Sequence, residues 1–167
     1  MKVALFATFA ALLLATVVPA EAAELSAGEV KELYDQADAL FEKGKYHEAK
    51  AKAIRAYAAF EKLARKDVPL TRVHHLRLLC NISDGLQEND KTIEYAIEVA
   101  IHARNDDDRG FANGLIGSAY NNKGEYDRAI EYYQKALKIF LKTLGAEHQE
   151  VGVSYNNIGL AYSYKGE

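Results

Sequence analysis

The chain has 167 residues, and its 21 Lys and Arg against 24 Asp and Glu give a formal net charge of −3. Because the two signs are interspersed, the chain lacks the basic patch of a nucleic-acid binder and the polybasic surface of a peripheral membrane protein. Cys80 is the single cysteine, which excludes an intramolecular disulfide. We therefore expect stability to come from the packing of secondary structure.

The first 22 residues have the pattern of a secretory signal peptide. Lys2 precedes an apolar run over residues 3–18, and small residues surround a cleavage point after Ala22. The alternative is a membrane anchor, but a helix over this run spans only about 24 Å, less than the roughly 30 Å of a bilayer core. We expect cleavage, export to the periplasm or the cell exterior, and no stable membrane insertion of residues 23–167.

The mature chain is predicted to be all-α. Strictly alternating runs of Val, Ile and Thr, the pattern of β-strands, are absent, and neither proline falls inside a helical segment. Ser26 and Glu29 predict a capping box at the start of the first helix. Seven helices are predicted, near residues 26–43, 46–65, 70–86, 90–104, 108–123, 126–144 and 149–165.

The sequence repeats itself at an interval of 42 residues. The segment 115–125 returns as 157–167 with seven of eleven positions identical. Self-similarity at such a period is typical of a solenoid of stacked helical units. The units are predicted near 26–65, 70–104 and 108–144, with a half unit at 149–167. A small residue marks the middle of the first helix in each unit; these residues are Ala37, Cys80, Gly117 and Gly159.

The third unit resembles the tetratricopeptide repeat, in which small residues let two antiparallel helices approach closely. The matching residues are Gly117, Tyr120, Gly124, Tyr126, Ala129, Tyr133 and Ala136. The usual repeat has about 34 residues, so the longer period here is similar to that of kinesin light chains. The second unit is degenerate, since Ser83 and Gln87 stand where Tyr and Gly are expected. The resemblance implies a right-handed superhelical solenoid of antiparallel helix pairs.

The resemblance also implies that the first helix of each unit lines a concave groove that binds a protein or peptide. Asparagine both donates and accepts hydrogen bonds, so a row of asparagines suits an extended peptide backbone. The alternative is an ordinary solvated surface. The predicted groove residues are Tyr34, Asp38, Arg77, Asn81, Ser118, Asn121, Asn122, Asn156 and Asn157.

Some members of the family that this chain resembles bind C-terminal carboxylates through a lysine–asparagine clamp. Here only Arg77 and Asn81 occupy comparable positions, and Asp38 and Asp84 would repel an anionic ligand. We therefore do not expect such a clamp.

Catalytic, metal and cofactor sites are not predicted. Cys80 stands at a small-residue position inside a helical pair, where a thiol behaves as an apolar group. The five histidines lack the spacing of metal ligands, and the acidic run of residues 106–108 fails the pattern of a calcium loop. These aspartates instead predict the negatively charged first turn of a helix.

Two functions remain open at this point. The first is an exported, non-enzymatic repeat scaffold that binds a protein or peptide. The second is the regulatory arm of a larger protein whose catalytic domain lies beyond residue 167. Large apolar side chains are distributed around the last predicted helix, so we expect the chain either to continue past Glu167 or to self-associate through this helix. Those side chains are Tyr155, Ile158, Leu160, Tyr162 and Tyr164.

Overall fold

A computed structural model describes residues 25–63 and 71–166. This part of the chain forms seven α-helices and no strand, which confirms the all-α helical-repeat fold. The helices are α1 (Ala27–Glu42), α2 (Tyr46–Lys62), α3 (Arg72–Gly85), α4 (Asn89–His102), α5 (Asp106–Asn122), α6 (Tyr126–Thr143) and α7 (Gln149–Lys165). The predicted signal peptide lies outside the described residues. None of the described helices combines the length and apolar character needed to cross a membrane.

The described chain divides into two compact units, one up to His75 and one from Leu76 onward. In the first unit, α1 opens with the predicted capping box. The Ser26 backbone N–H donates to Glu29 Oε2 (2.8 Å), and the Glu29 backbone N–H donates to Ser26 Oγ (3.4 Å). The Ser26 hydroxyl also donates to Glu29 Oε2 (2.6 Å), and this bond, followed by the one from the Ser26 backbone N–H, lowers the pKa of Glu29. Small side chains then allow α1 and α2 to approach closely, because Ala37 and Ala49 are both fully buried.

In the first unit, aromatic side chains surround His75, which is only 1% exposed. Its ring centroid lies 4.8 Å from that of Phe60, 5.2 Å from Tyr34 and 6.0 Å from Tyr57. Neither ring nitrogen has a hydrogen-bond partner among the described residues. Burial lowers the pKa of His75 to about 4, with a smaller contribution from the neighbouring His74. The imidazole is therefore neutral and packs as an aromatic ring.

The second unit contains the rest of α3 and the helices α4 to α7. Its largest fully buried side chains on α3 are Leu76, Leu79 and Ile82. Cys80 is also fully buried, and burial raises the pKa of its thiol well above the usual range. This burial confirms the prediction that Cys80 is a core residue. An inaccessible neutral thiol is not available as a nucleophile.

Two glycines of α5 receive aromatic rings from α6. A β-carbon at Gly117 would lie 2.6 Å from Tyr133 Cδ1, and one at Gly110 would overlap the Phe140 ring. Real side chains cannot approach this closely, so glycine at these two positions is what lets α6 pack directly against the α5 backbone. The small residue predicted at the centre of this helical pair is therefore confirmed for Gly117.

The turns between paired helices share one geometry, including the degenerate one. Gly44 and Gly124 have φ of 71° and 76°, and Gln87 adopts φ 58° at the corresponding position. In the second and third sequence repeats, the backbone N–H after the turn residue donates across the turn, from Glu88 to Ser83 O and from Glu125 to Tyr120 O, both at 2.9 Å. The left-handed C-terminal turn of a helix is thus kept at Gln87 without the glycine that favours it.

Candidate functional site

Arg77 on α3 is held in place by three side chains of α5. Its Nη1 donates to Asp108 Oδ1 (2.7 Å) and to Asp107 Oδ2 (3.2 Å), and its guanidinium carbon lies 4.2 Å from the centre of the Phe111 ring. Burial acts to lower the pKa of Arg77, but the hydrogen bonds with Asp108 and Asp107 outweigh burial and raise it. Arg77 is therefore a fixed cation whose charge is balanced within the protein.

The start of α5 supplies the acidic partners of Arg77. Asn105 caps the helix, since its Oδ1 accepts from the Asp108 backbone N–H at 2.8 Å. Residues 106–108 then occupy the first turn, as predicted, where carboxylates meet the positive end of the helix dipole. Sequence reasoning missed the second role of Asp107 and Asp108, the ion pairs with Arg77. These pairs balance the charge of Arg77 within the protein.

Asp84 on α3 and Ser118 on α5 form a second polar contact. The Ser118 hydroxyl donates to Asp84 Oδ1 at 3.5 Å. Burial raises the pKa of Asp84, and the bond from Ser118 partly opposes that shift. Asn81 is half-buried on the same helix. We call Arg77, Asn81, Asp84, Ser118 and Asn121 the α3–α5 polar surface.

The two asparagines at the end of α5 differ in their surroundings. Asn121 is half-buried, and its Oδ1 is enclosed without a hydrogen-bond partner in the described chain. Asn122 is exposed, and its Nδ2 donates to Asn89 Oδ1 at the start of α4 (3.3 Å). Asn121 is therefore the one with unused hydrogen-bonding capacity, whereas Asn122 is tied to α4.

The remaining predicted residues lie on α7 and α1. On α7, Asn156 is exposed and Asn157 is half-buried. On α1, in the first unit, Asp38 is exposed and Tyr34 packs edge-on against His75. Tyr34 is thus part of the aromatic cluster. Ser118 of the predicted set bonds to Asp84, which does not belong to that set.

The described residues offer little for metal chemistry. No group of three or more His, Cys, Asp or Glu side chains comes together as metal ligands in the described ranges. The polar contacts described above are ion pairs and hydrogen bonds between helices. This surface carries amide, hydroxyl and carboxylate groups on the first helices α3 and α5.

Comparison with known proteins agrees with the repeat pattern. Residues 108–167 match the family model of the tetratricopeptide repeat. Among solved structures, the chain is similar to BtubC (BKLC) from P. vanneervenii, with a TM-score of 0.67 and 22% sequence identity. That alignment covers 83% of this chain and 56% of BtubC, so the chain spans little more than half the length of that protein. No curated protein matches the chain significantly.

Proposed function

We propose that this chain, which carries tetratricopeptide repeats with a long, kinesin-light-chain-like period, is an exported, non-enzymatic scaffold that binds a protein or peptide. The match of residues 108–167 to the repeat family carries the proposal, because that stretch holds two first helices, α5 and α7. On these helices the partly or fully exposed amides of Asn121 and Asn156 recur at positions that the resemblance assigns to a groove. The repeat fold supplies the scaffold, and these amides supply the polar contacts.

The chemistry of the α3–α5 polar surface favours a partner that is recognised mainly through hydrogen bonds to its backbone. Arg77 is neutralised by two aspartates, so it offers little attraction to an anionic terminus. The half-buried amide of Asn121 and the exposed amide of Asn156 can bind peptide groups irrespective of the partner's side chains. We infer an extended segment without strong negative charge as the ligand.

The binding test compares wild type with the double variant Asn121→Ala/Asn156→Ala. The wild-type protein, isolated from its export compartment, is used to capture and identify a partner, and the variant is then titrated with that partner. We expect weaker binding, by about thirtyfold if two hydrogen bonds of about 1 kcal/mol each are lost. Helical circular dichroism and melting should stay as in wild type.

Asn113→Ala is the matched control for this experiment. Asn113 is also on α5, but its Nδ2 donates to the Arg109 carbonyl of the same helix (2.7 Å) and it is not a predicted groove residue. The control should bind as wild type does. Equal binding by the double variant and the control would return Asn121 and Asn156 to the solvated surface.

Export is tested separately by intact mass. Removal of residues 1–22 gives a chain that starts at Ala23, which mass spectrometry of the exported protein detects directly. A protein that retains Met1 and sediments with membranes would contradict this part of the proposal and leave the binding part standing.

A further inference from the structure

Asp84 on α3 is a half-buried carboxylate without a cationic partner. Within residues 25–63 and 71–166, its polar contact is with the Ser118 hydroxyl, and no Lys, Arg or His side chain pairs with it. The Ser118 Oγ to Asp84 Oδ1 distance of 3.5 Å is longer than the roughly 2.5–3.0 Å of an ordinary O–H···O hydrogen bond. An ionised carboxylate accepts at both oxygens, so most of the hydrogen-bonding capacity of Asp84 is unused.

The charges around Asp84 do not compensate it. Arg77, on the same helix, is engaged by Asp107 and Asp108. Burial raises the pKa of Asp84, because it disfavours the charged form of the side chain. A group whose pKa is raised by folding destabilises the folded state when it is ionised, so the carboxylate of Asp84 lowers the stability of the protein at neutral pH.

The repeat does not require a carboxylate at this position. Asp84 stands four residues after Cys80, the small residue at the centre of its helix. The corresponding residues of α1, α5 and α7 are Phe41, Asn121 and Ser163, none of which is charged. A charge that helix packing does not need, and that costs stability, is typical of a residue retained for binding.

We propose that Asp84 binds a basic side chain, lysine or arginine, of a peptide that the α3–α5 polar surface recognises. This inference rests on the proposed function and adds a charge requirement to it. The ammonium or guanidinium of the peptide would form charge-assisted hydrogen bonds with the free carboxylate oxygens, and such bonds are stronger than neutral ones. Because Arg77 is already paired with two aspartates, this region has more carboxylates than cations and disfavours an acidic peptide.

The test selects random phage-displayed peptides on the purified wild-type protein. Selected peptides are then synthesised with acetylated and amidated ends, so that their termini carry no charge. We expect them to share a Lys or Arg. Replacing that residue by norleucine should weaken binding about tenfold or more, and so should Asp84→Asn. The two changes combined should weaken binding no more than either alone, because they remove the same contact.

Glu147→Gln is the matched control. Glu147 is exposed between α6 and α7, and this substitution removes the same negative charge as Asp84→Asn does. The control should bind the basic peptides as wild type does, which separates direct contact from long-range attraction.

Thermal melting gives a second readout that needs no ligand. Asp84→Asn should melt at a higher temperature than wild type at neutral pH, since it removes a half-buried charge and keeps an oxygen for Ser118. The difference should disappear as the pH falls below the ordinary pKa of 3.8, where the carboxyl is protonated in both the folded and the unfolded chain.

Different failures have different meanings. Peptides that lack a basic residue, but lose affinity for Asn121→Ala/Asn156→Ala, would overturn the role of Asp84 and leave the peptide-binding proposal standing. Basic peptides that bind Asp84→Asn as tightly as wild type would place their charge on another surface. A lower melting temperature of Asp84→Asn at neutral pH would make the carboxylate structural. A selection that enriches no peptide would overturn both proposals.

Discussion

The helices α5 and α7 are close copies in sequence but differ in what covers them. Eleven positions at the end of each share seven identical residues, and the two glycines of each helix have the same spacing. Gly117 of α5 lies under the Tyr133 ring, whereas the corresponding Gly159 of α7 faces open space. Val151, Ser154 and Ala161 show that α7 is nevertheless buried on another side.

The difference shows that the repeated sequence defines the surface of a helix, whereas the neighbouring helix determines whether that surface is buried. In a solenoid, each helix packs only against its neighbours, so the burial of a repeated position depends on the helix that covers it. The following predictions test whether the cover on α5 is what separates the two helices.

The largest effect is expected for Ala129→Leu on α6, the helix that covers α5. Ala129 is fully buried. Added methylenes at such a close contact typically cost about 1–3 kcal/mol of folding free energy, and the loss should concentrate in α5, α6 and α7. Chemical denaturation followed by circular dichroism measures it. The control is Ala51→Leu, an exposed alanine of α2, which should leave the stability nearly unchanged.

The next effect has opposite signs in the two helices. Gly117→Ala should lose about 1 kcal/mol, because the clash with Tyr133 exceeds the gain in helix propensity, whereas Gly159→Ala should gain up to about 1 kcal/mol. Both are measured by thermal melting at low protein concentration. If the two substitutions shift the melting temperature in the same direction, the cover on Gly117 is not what distinguishes α5 from α7.

The smallest effect extends the comparison to the turns. Gln87→Gly should stabilise the second unit by roughly 0.5–1 kcal/mol, because a non-glycine residue in the left-handed region is strained by about 1–2 kcal/mol and glycine loses more backbone entropy on folding. Gly124→Gln should destabilise by a similar amount. Denaturant midpoints of the two variants check this. A stabilised Gly124→Gln variant would show that the shared turn geometry is not what sets these energies.

Much of the fold could be predicted from local sequence. Helix periodicity places all seven helices within three residues of their observed ends, and the Ser26–Glu29 capping box forms as predicted. The repeat alignment assigns Cys80 to the core although its unit is degenerate. These features depend on residues within a few positions of one another or on a spacing that the chain repeats.

The site was less accessible to prediction because its contacts join distant residues. Arg77 and Asp108 are 31 residues apart, and neither the charge of Arg77 nor the acidic run of residues 106–108 indicates its partner. An alignment of α3 with α5 could have suggested the ion pair, because Arg77 and Asp108 lie on successive first helices. The Oδ1 of Asn121 is enclosed by tertiary packing, which the spacing of residues in the sequence does not predict.

The buried imidazole of His75 makes the first unit sensitive to acid. The pKa of His75 in the folded protein is about 4, below the ordinary value of 6.5, so the unfolded chain takes up a proton that the folded chain refuses. Stability from this residue is constant above pH 6.5 and declines as the pH falls towards 4. His75→Phe, which keeps an aromatic ring beside Phe60 and removes the titration, should flatten that decline in melting experiments, whereas His74→Phe should not. Mild acidification would thus destabilise the first compact unit through the buried, neutral ring of His75.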